Sequence, residues 1–324
     1  MPADVVVVGS YNQDYVWQVD RAPDAGETLR GHGFRSAVGG KGFNQAVACA
    51  RQGVVTHFVG AIGADAGGDA AQRVATSEGL AAHWQVRDDA VTGSACILVE
   101  GGGQNRIVVA LGANERLDPA FLRLQAPLFA SARVVLAQLE NNLDATRTAF
   151  ELADAHGALR VLNPAPVHPD LDAALLAQCD VVTPNESEFA LLLERIIGVR
   201  VEADSLATLA DTELHAHARR LGVATVVITL GKSGCFISHA DGKPRGDDAA
   251  FYRIAPETVD AIDATGAGDA FSGALAAALA RVADGSFRAA ATHANRCAAM
   301  STETVGTLPA MPRFDHVLTR FGAA

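Results

Sequence analysis

Asp263-Ala264-Thr265-Gly266-Ala267-Gly268-Asp269 runs directly into the alanine-rich stretch Ala270–Arg281. Alanine and leucine make that stretch a helix, and the glycines ahead of it permit a tight turn with open backbone. The N–H groups of Gly266, Ala267 and Gly268, unobstructed at a helix start, form an anion hole suited to phosphate. Asp269 falls in the first helical turn, where the dipole is expected to lower its pKa and keep it ionised. A carboxylate beside such a hole accepts the proton of an attacking hydroxyl as charge grows on a transferring phosphoryl group. An N-terminal helix cap alone would not call for an anion hole, so the pairing of hole and base points to catalysis.

Outward from this segment, short apolar runs alternate with longer helical patterns. Val5–Val8, Val134–Leu139, Arg160–Leu162, Val181–Thr183 and Val226–Leu230 read as buried strands ended by Gly, Pro, Asn or Glu. Asn44–Gln52, Ala66–Glu78, Leu143–His156 and Asp211–Leu221 read as helices. That alternation defines an α/β fold, a doubly wound and mostly parallel sheet flanked by helices, with ligands beyond the carboxyl ends of the strands. Residues 14–38 and 92–111 instead carry glycine-punctuated strand alternation without helices, and Ile97, Val99, Ile107 and Val109 flank Gly101-Gly102-Gly103 as a hairpin. These antiparallel pieces suit a small β-sheet lid inserted into one domain spanning 1–324. Residues 191–205 read as an irregular insertion and 243–248 as a polar turn.

A second glycine cluster, Gly39-Gly40-Lys41-Gly42-Phe43-Asn44, opens the helix Asn44–Gln52. Here glycine lets backbone approach a polyhydroxylated ligand, while Lys41 and Asn44 offer donors to its hydroxyls. Other phosphate motifs fail. Gly9 stands alone where a dinucleotide fingerprint needs three glycines, Gly231-Lys232-Ser233 lacks its upstream glycine, and Gly42 follows Gly40-Lys41 where a P-loop needs Ser or Thr. His215-x-His217 has no third ligand and reads as a solvated helix face.

With Lys+Arg 26 against Asp+Glu 37, the net charge of −11 gives no basic excess to bind nucleic acid or an anionic membrane. The cysteines at 49, 96, 179, 235 and 297 are odd in number and scattered, which fits buried thiols in a reducing cytoplasm rather than a disulfide framework. No apolar stretch reaches the roughly 18 residues of a membrane span, and the start of the chain does not resemble a signal peptide.

Asp263–Asp269 closely resembles the D-T-x-G-A-G-D signature of the ribokinase-like (PfkB) carbohydrate kinase family, and Gly39–Asn44 resembles its G-G-K-G-x-N sugar loop. Further matches run in order along the chain: Gly9-Ser10 with Asn12 and Asp14, Gly63-x-Asp65-x-x-Gly68, Gly112-Ala113-Asn114, Gln138-Leu139-Glu140, Asn163–Pro166, Thr183–Glu186 with Glu188, and Thr229–Gly231. The wording around Gly39–Ala48, Asn163–Pro166 and Gly112–Asn114 is similar to that of the ribose-phosphorylating branch. The resemblance implies an ATP-dependent kinase for a primary sugar hydroxyl, foremost D-ribose to D-ribose 5-phosphate, with Asp269 as base. Asn12, Asp14, Gly40, Lys41, Asn44 and Glu140 would hold the sugar. Asn185 and Glu188 would organise Mg²⁺ and phosphates through water, and Thr229, Gly231 and Asn295 would line the ATP site.

The same resemblance implies a monovalent cation, K⁺, held by Asp263, the Thr265 carbonyl and the carbonyls of Thr302, Val305 and Thr307. Ala264 and Ala310 depart from the pattern there, replacing Thr and Ser. Tyr11, Gln13, Trp17 and Phe43 depart from it near the sugar and stand to narrow the pocket. Fructose, deoxyribose, adenosine and cytidine stay open as acceptors, as does a sugar- or nucleotide-sensing protein without turnover. Exposed lid edges imply a homodimer.

Overall fold

The computed structural model describes residues 2–102, 104–240, 246–281 and 285–323. The chain enters the main sheet at β1 (Val5–Val8), then forms β2 (Asn12–Val19) and β3 (Gly33–Gly39) before α1 (Lys41–Arg51). β4 (Thr56–Gly63), α2 (Ala66–Ser77) and β5 (Ala81–Arg87) follow, then β6 (Ser94–Glu100) and β7 (Asn105–Ala110). The middle of the chain holds α3 (Pro119–Leu124), α4 (Ala126–Phe129), β8 (Val134–Ala137), α5 (Leu143–Ala155), β9 (Leu159–Leu162), α6 (Ala173–Ala177) and β10 (Val181–Val182). It continues through α7 (Glu186–Ile197), α8 (Asp211–Arg219) and the strands β11 (Thr225–Thr229), β12 (Cys235–His239) and β13 (Phe251–Ile254). Three helices close it: α9 (Ala267–Arg281), α10 (Phe287–Ser301) and α11 (Phe314–Phe321).

Nine strands make the main sheet in the order β13-β12-β11-β10-β9-β8-β1-β4-β5. The run from β11 to β5 is parallel, and β12 and β13 add an antiparallel edge. Both faces are covered. Val6 and Val8 pack into one apolar cluster with Phe129, Phe150 and Phe189, while Val5 and Val7 pack into another with Phe43, Phe58 and Phe271. This explains why β1 reads as an unbroken valine run: each side of the strand has its own core.

The second sheet has the order β3-β2-β6-β7. Its register fixes two faces with different chemistry. Asp14, Val16 and Gln18 lie opposite Ala37, Arg35 and Gly33 on β3 and Ala95, Ile97 and Val99 on β6, forming the face turned to the main sheet. Tyr15, Trp17 and Phe34 cluster on the other face, with Tyr15 and Phe34 stacked at 6.3 Å. Asp65 ties the base of this lid to the core. It caps α2 through the Gly68 amide and accepts from the Thr92 amide and hydroxyl at 2.8 and 2.6 Å.

Several expectations are corrected. The stretch 191–197 continues α7 instead of being irregular, because Leu192 and Leu193 bury against the core and Gly198 ends the helix in the left-handed region. Residues 243–245 of the expected polar turn, and Gly103 of the hairpin tip, lie outside the described residues. Four cysteines are buried but Cys96 is exposed, since its position on β6 points to the outer lid face with Tyr15. His215 does not sit on a solvated face: its ring stacks on Phe251 at 4.5 Å and meets the Ser238 hydroxyl at 2.7 Å.

Candidate active site

The site is assembled where α1 and α9 start, at the carboxyl ends of β1 and β8. α1 is brought close by missing side chains. Gly40 has φ 89°, and a Cβ there would lie 2.7 Å from the Asn12 nitrogen and the Tyr11 Cα. Gly40→Ala is therefore expected to cost about 1–3 kcal/mol and to weaken sugar binding; thermal denaturation with and without sugar checks both. The approach lets the Lys41 amide donate to Glu140 Oε2 at 2.9 Å, while the Ser10 hydroxyl donates to the same oxygen at 2.5 Å. Asn114 orients the first strand from behind, its Nδ2 donating to Asn12 Oδ1 at 2.9 Å and to the Tyr11 carbonyl at 3.0 Å.

Asp269 is buried, and its carboxylate is held from α1. Asn44 Nδ2 donates to Oδ2 at 3.1 Å, and Gln45 Nε2 donates to Oδ1 at 2.9 Å. Gln45 is itself held, donating to Asn163 Oδ1 at 2.9 Å and accepting from Gln138 Nε2 at 2.6 Å. Asn44 thus serves the base as well as the sugar role assigned to it, and its buried Oδ1 has no partner among the described residues. Gln45 and Gln138 were given no role on sequence. The only signal was their place in two matched motifs, since glutamine has no chemistry that singles it out.

The helix dipole does not keep the Asp269 pKa low, contrary to the expectation from its place in the first turn. Burial raises it, opposed by Lys41, Gln45 and Asn44, with Glu140 adding to the rise. Removal from water outweighs a half-charge at the helix end. Burial works against the Lys41 charge, yet Asp269, Glu140 and Glu188 together hold its pKa above the ordinary lysine value. A base poised nearer neutrality is better matched to proton abstraction than a fully stabilised carboxylate.

Of the anion-hole amides, Ala267 N–H donates to the Ala264 carbonyl at 3.2 Å and is partly committed. Those of Gly266 and Gly268 have no intramolecular acceptor among the described residues. They face a cavity of about 140 Å³ that gathers Lys41, Asn185, Glu188, Thr229 and Asp269. Asn185 caps α7 in a reciprocal pair with Glu188: Glu188 N–H donates to Asn185 Oδ1 at 2.8 Å and Asn185 N–H to Glu188 Oε2 at 2.9 Å. Burial pushes the Glu188 carboxyl up, partly offset by the Asn185 amide and Lys41. The described residues contain no cluster of three acidic, His or Cys side chains that would cage a metal. One carboxylate with an open mouth fits Mg²⁺, which keeps its waters and rides on phosphates. Gly231 lies by Glu186 at the edge of this region, with φ 49°.

Asn295 is not in this cavity; its Nδ2 donates to the Ala255 carbonyl at 3.0 Å, pinning the segment after β13 to α10. Of the donors implied for K⁺, the Thr265 and Val305 carbonyls accept no hydrogen bond among the described residues, while the others are partly engaged. Asp263 accepts the Thr265 and Gly306 amides at 2.9 and 2.8 Å, and the Thr302 carbonyl accepts those of Ile262 and Asp263 at 2.8 and 3.0 Å. The Thr307 carbonyl accepts from Ala310 N–H at 3.1 Å, and Val305 is exposed. Both lone pairs of the Thr302 carbonyl are used by the Ile262 and Asp263 amides, and no step below passes through a cation.

A larger cavity of about 700 Å³ lies beneath the lid, lined by Asp14, Val16, Arg35, Ile97, Asp263 and Thr307 among others. Asp14 is pushed up to about 7, chiefly by burial and then by Glu140, against a lowering by Arg35. Tyr11, Trp17 and Phe43 do not line this cavity. Tyr11 and Phe43 pack edge to face at 5.3 Å behind the site, and Trp17 is on the outer lid face. Gln13 reaches its rim, with Nε2 donating to Ser36 Oγ and the Ala37 carbonyl at 2.7 and 2.6 Å.

A buried carboxylate held by two side-chain amides, next to open amides at a helix start and under a β-lid, is the constellation of a kinase for small alcohols. Residues 2–313 match the pfkB family of carbohydrate kinases, and the chain belongs to that family. It is similar to a ribokinase of Haemophilus influenzae, 36% identical over 319 residues and covering 98% of each chain. Among solved structures it resembles that of ribokinase from Giardia lamblia, at 29% identity and TM-score 0.87, covering 99% of this chain and 100% of that one. It also resembles the structure of Arabidopsis thaliana ribokinase complexed with ribose and ATP, at 26% identity and TM-score 0.81, covering 98% of each.

Proposed function

We propose that this kinase transfers the γ-phosphate of ATP to the primary hydroxyl of D-ribose, giving D-ribose 5-phosphate. The observation that carries the reading is the Asp269 carboxylate, fixed by Asn44 and Gln45 at the mouth of the Gly266–Gly268 amides. The ribokinase relatives and the Arabidopsis complex support ribose as acceptor and ATP as donor. Asn12, Asp14 and Glu140 would accept hydroxyl protons of the sugar, and the orphaned Oδ1 of Asn44 fits one more.

Asp269 takes the proton of the attacking hydroxyl, which adds in line to the γ-phosphorus as the bond to ADP breaks. Lys41 and the amides of Gly266 and Gly268 stabilise the charge that develops on the transferring group. Glu188 and Asn185 would hold Mg²⁺ through water, where it would neutralise charge on the phosphates. The lid excludes water from the reacting group, favouring the sugar over hydrolysis.

The test is ADP release from Mg·ATP with ribose, fructose, 2-deoxyribose, adenosine and cytidine, each with and without potassium. Turnover on ribose well above the others supports the reading, and a rate that rises with potassium supports the monovalent-cation site. Turnover on another acceptor would move the substrate, and ribose binding without ADP formation would favour a sensor.

The outer lid face supports a homodimer, with Phe34 59% and Val108 72% exposed beside Tyr15 and Trp17. Phe34→Glu is expected to shift the species from dimer to monomer in light scattering at micromolar concentration; an unchanged mass counts against this interface. Among the described residues no helix is long and apolar enough to cross a membrane. Together with five unpaired cysteines this fits a cytoplasmic enzyme.

A further inference from the structure

We propose that Arg35 is a positioning residue of the acceptor site: carried on the inner face of the lid, it holds Asp14 in the ionised form that accepts a sugar hydroxyl. The inference rests on the reading of Asp14 as a sugar ligand. Its geometric basis is the register of the lid. Asp14 pairs with Ala37 and Val16 with Arg35, so Arg35 and Asp14 are diagonal neighbours on one face. Such neighbours lie roughly 7–8 Å apart at the backbone, within reach of an arginine side chain.

Both residues line the cavity of about 700 Å³ under the lid. The Arg35 side chain makes no hydrogen bond or ion pair with another described residue, and its charge acts on Asp263 as well as on Asp14. Arg21 and Arg51, by contrast, are each paired with a glutamate.

The charged and titratable groups around Asp14 come from every element packed on it. Glu140 follows β8, Lys41 opens α1, Tyr11 precedes β2, Arg73 on α2 acts on Tyr11, and Asp263 faces the same cavity from the loop before α9. Lys41 is committed to Asp269, Glu140 and Glu188. Arg35 is the cation that opposes the combined effect of burial and Glu140 on Asp14. Asp14 on β2 and Arg35 on β3 belong to the same sheet, so the pair moves with the lid as a unit.

The experiment titrates the Asp14 carboxyl by ¹³C NMR in the sugar-free full chain, assigned with Asp14→Asn, and compares wild type with Arg35→Gln and Arg35→Lys. Arg35→Gln is expected to raise the Asp14 titration by about one pH unit. The acid limb of kcat/KM for ribose should move up by the same amount, with kcat at high pH unchanged, and Arg35→Lys should restore most of the shift. An unmoved Asp14 titration in Arg35→Gln overturns the proposal, as does a loss of kcat/KM that is equal at every pH. A shifted titration with an unmoved kcat/KM profile confirms the Arg35–Asp14 coupling but overturns its functional half, because Asp14 would then not bind the sugar.

Discussion

Asp269→Asn is expected to lower kcat by about 10²–10⁴, the usual contribution of a positioned general base, while the KM values for sugar and ATP change little. The substitution keeps the shape of the side chain and removes only its capacity to take a proton. Its new amide group would face the donors of Asn44 and Gln45, but the partnerless Oδ1 of Asn44 supplies an acceptor if that amide turns over. The packing is therefore expected to survive. Steady-state kinetics of the purified variant check the split between kcat and KM, and near-normal turnover would remove Asp269 from the base role.

A second readout concerns stability. Burial holds the Asp269 pKa above the ordinary carboxylate value, so the folded state binds its proton more tightly than the unfolded chain does. Stability then falls as pH rises between the unfolded and folded values, and stays lower above them. The variant should consequently melt at a higher temperature than wild type at alkaline pH, with the difference shrinking in acid. Activity of the wild type runs the other way, failing as pH drops through the raised value and the base becomes protonated. The same desolvation that lowers stability makes the residue a better proton acceptor near neutrality.

Asp14→Asn is expected to raise the KM for ribose by about 10- to 100-fold, the loss of hydrogen bonds to a charged group at about 1.5–3 kcal/mol, with a smaller effect on kcat. Its stability effect has a defined pH window. With a folded value of about 7 against an ordinary 3.8, the charged form is disfavoured by up to about 4 kcal/mol. Asp14→Asn should therefore be more stable than wild type above pH 7 and lose that advantage progressively as pH falls toward 4. Thermal melts at pH 5 and pH 8 distinguish this from a neutral substitution; equal shifts at both would mean that burial does not raise the Asp14 pKa and that the carboxylate is ionised throughout this range. The KM for ribose in the wild type should rise as pH drops below 7, as Asp14 takes up a proton and one acceptor is lost.

Much of the site was legible in the chain because its chemistry depends on residue types in local order. Gly39–Asn44 and Asp263–Asp269 each place glycines, a charge and a helix start within seven residues, and both occur in the fold where that order implies. Three kinds of fact were not legible. Gln45 and Asp269 are 224 positions apart, and no local pattern announces that one glutamine will hold the base. Asn295 donates to a backbone carbonyl after β13, a contact that depends on how α10 packs. Trp17, Phe43 and Tyr11 looked like pocket walls, but the strand register and the core behind α1 turn them elsewhere.

The amino-acid order by itself determined the α/β architecture, the lid segments, the family and the candidate for the base, because hydrophobic period, turn glycines and helix starts are local properties. Tertiary structure alone decided the protonation behaviour of the site and the commitment of its donors. Burial raised the Asp269 and Asp14 carboxyls where the helix dipole and simple exposure would have left them low. The amides of Ile262 and Asp263 filled the Thr302 carbonyl that a cation would need. Desolvation and lone-pair occupancy arise only when distant segments meet, so they are properties of the packed chain and not of any stretch of it.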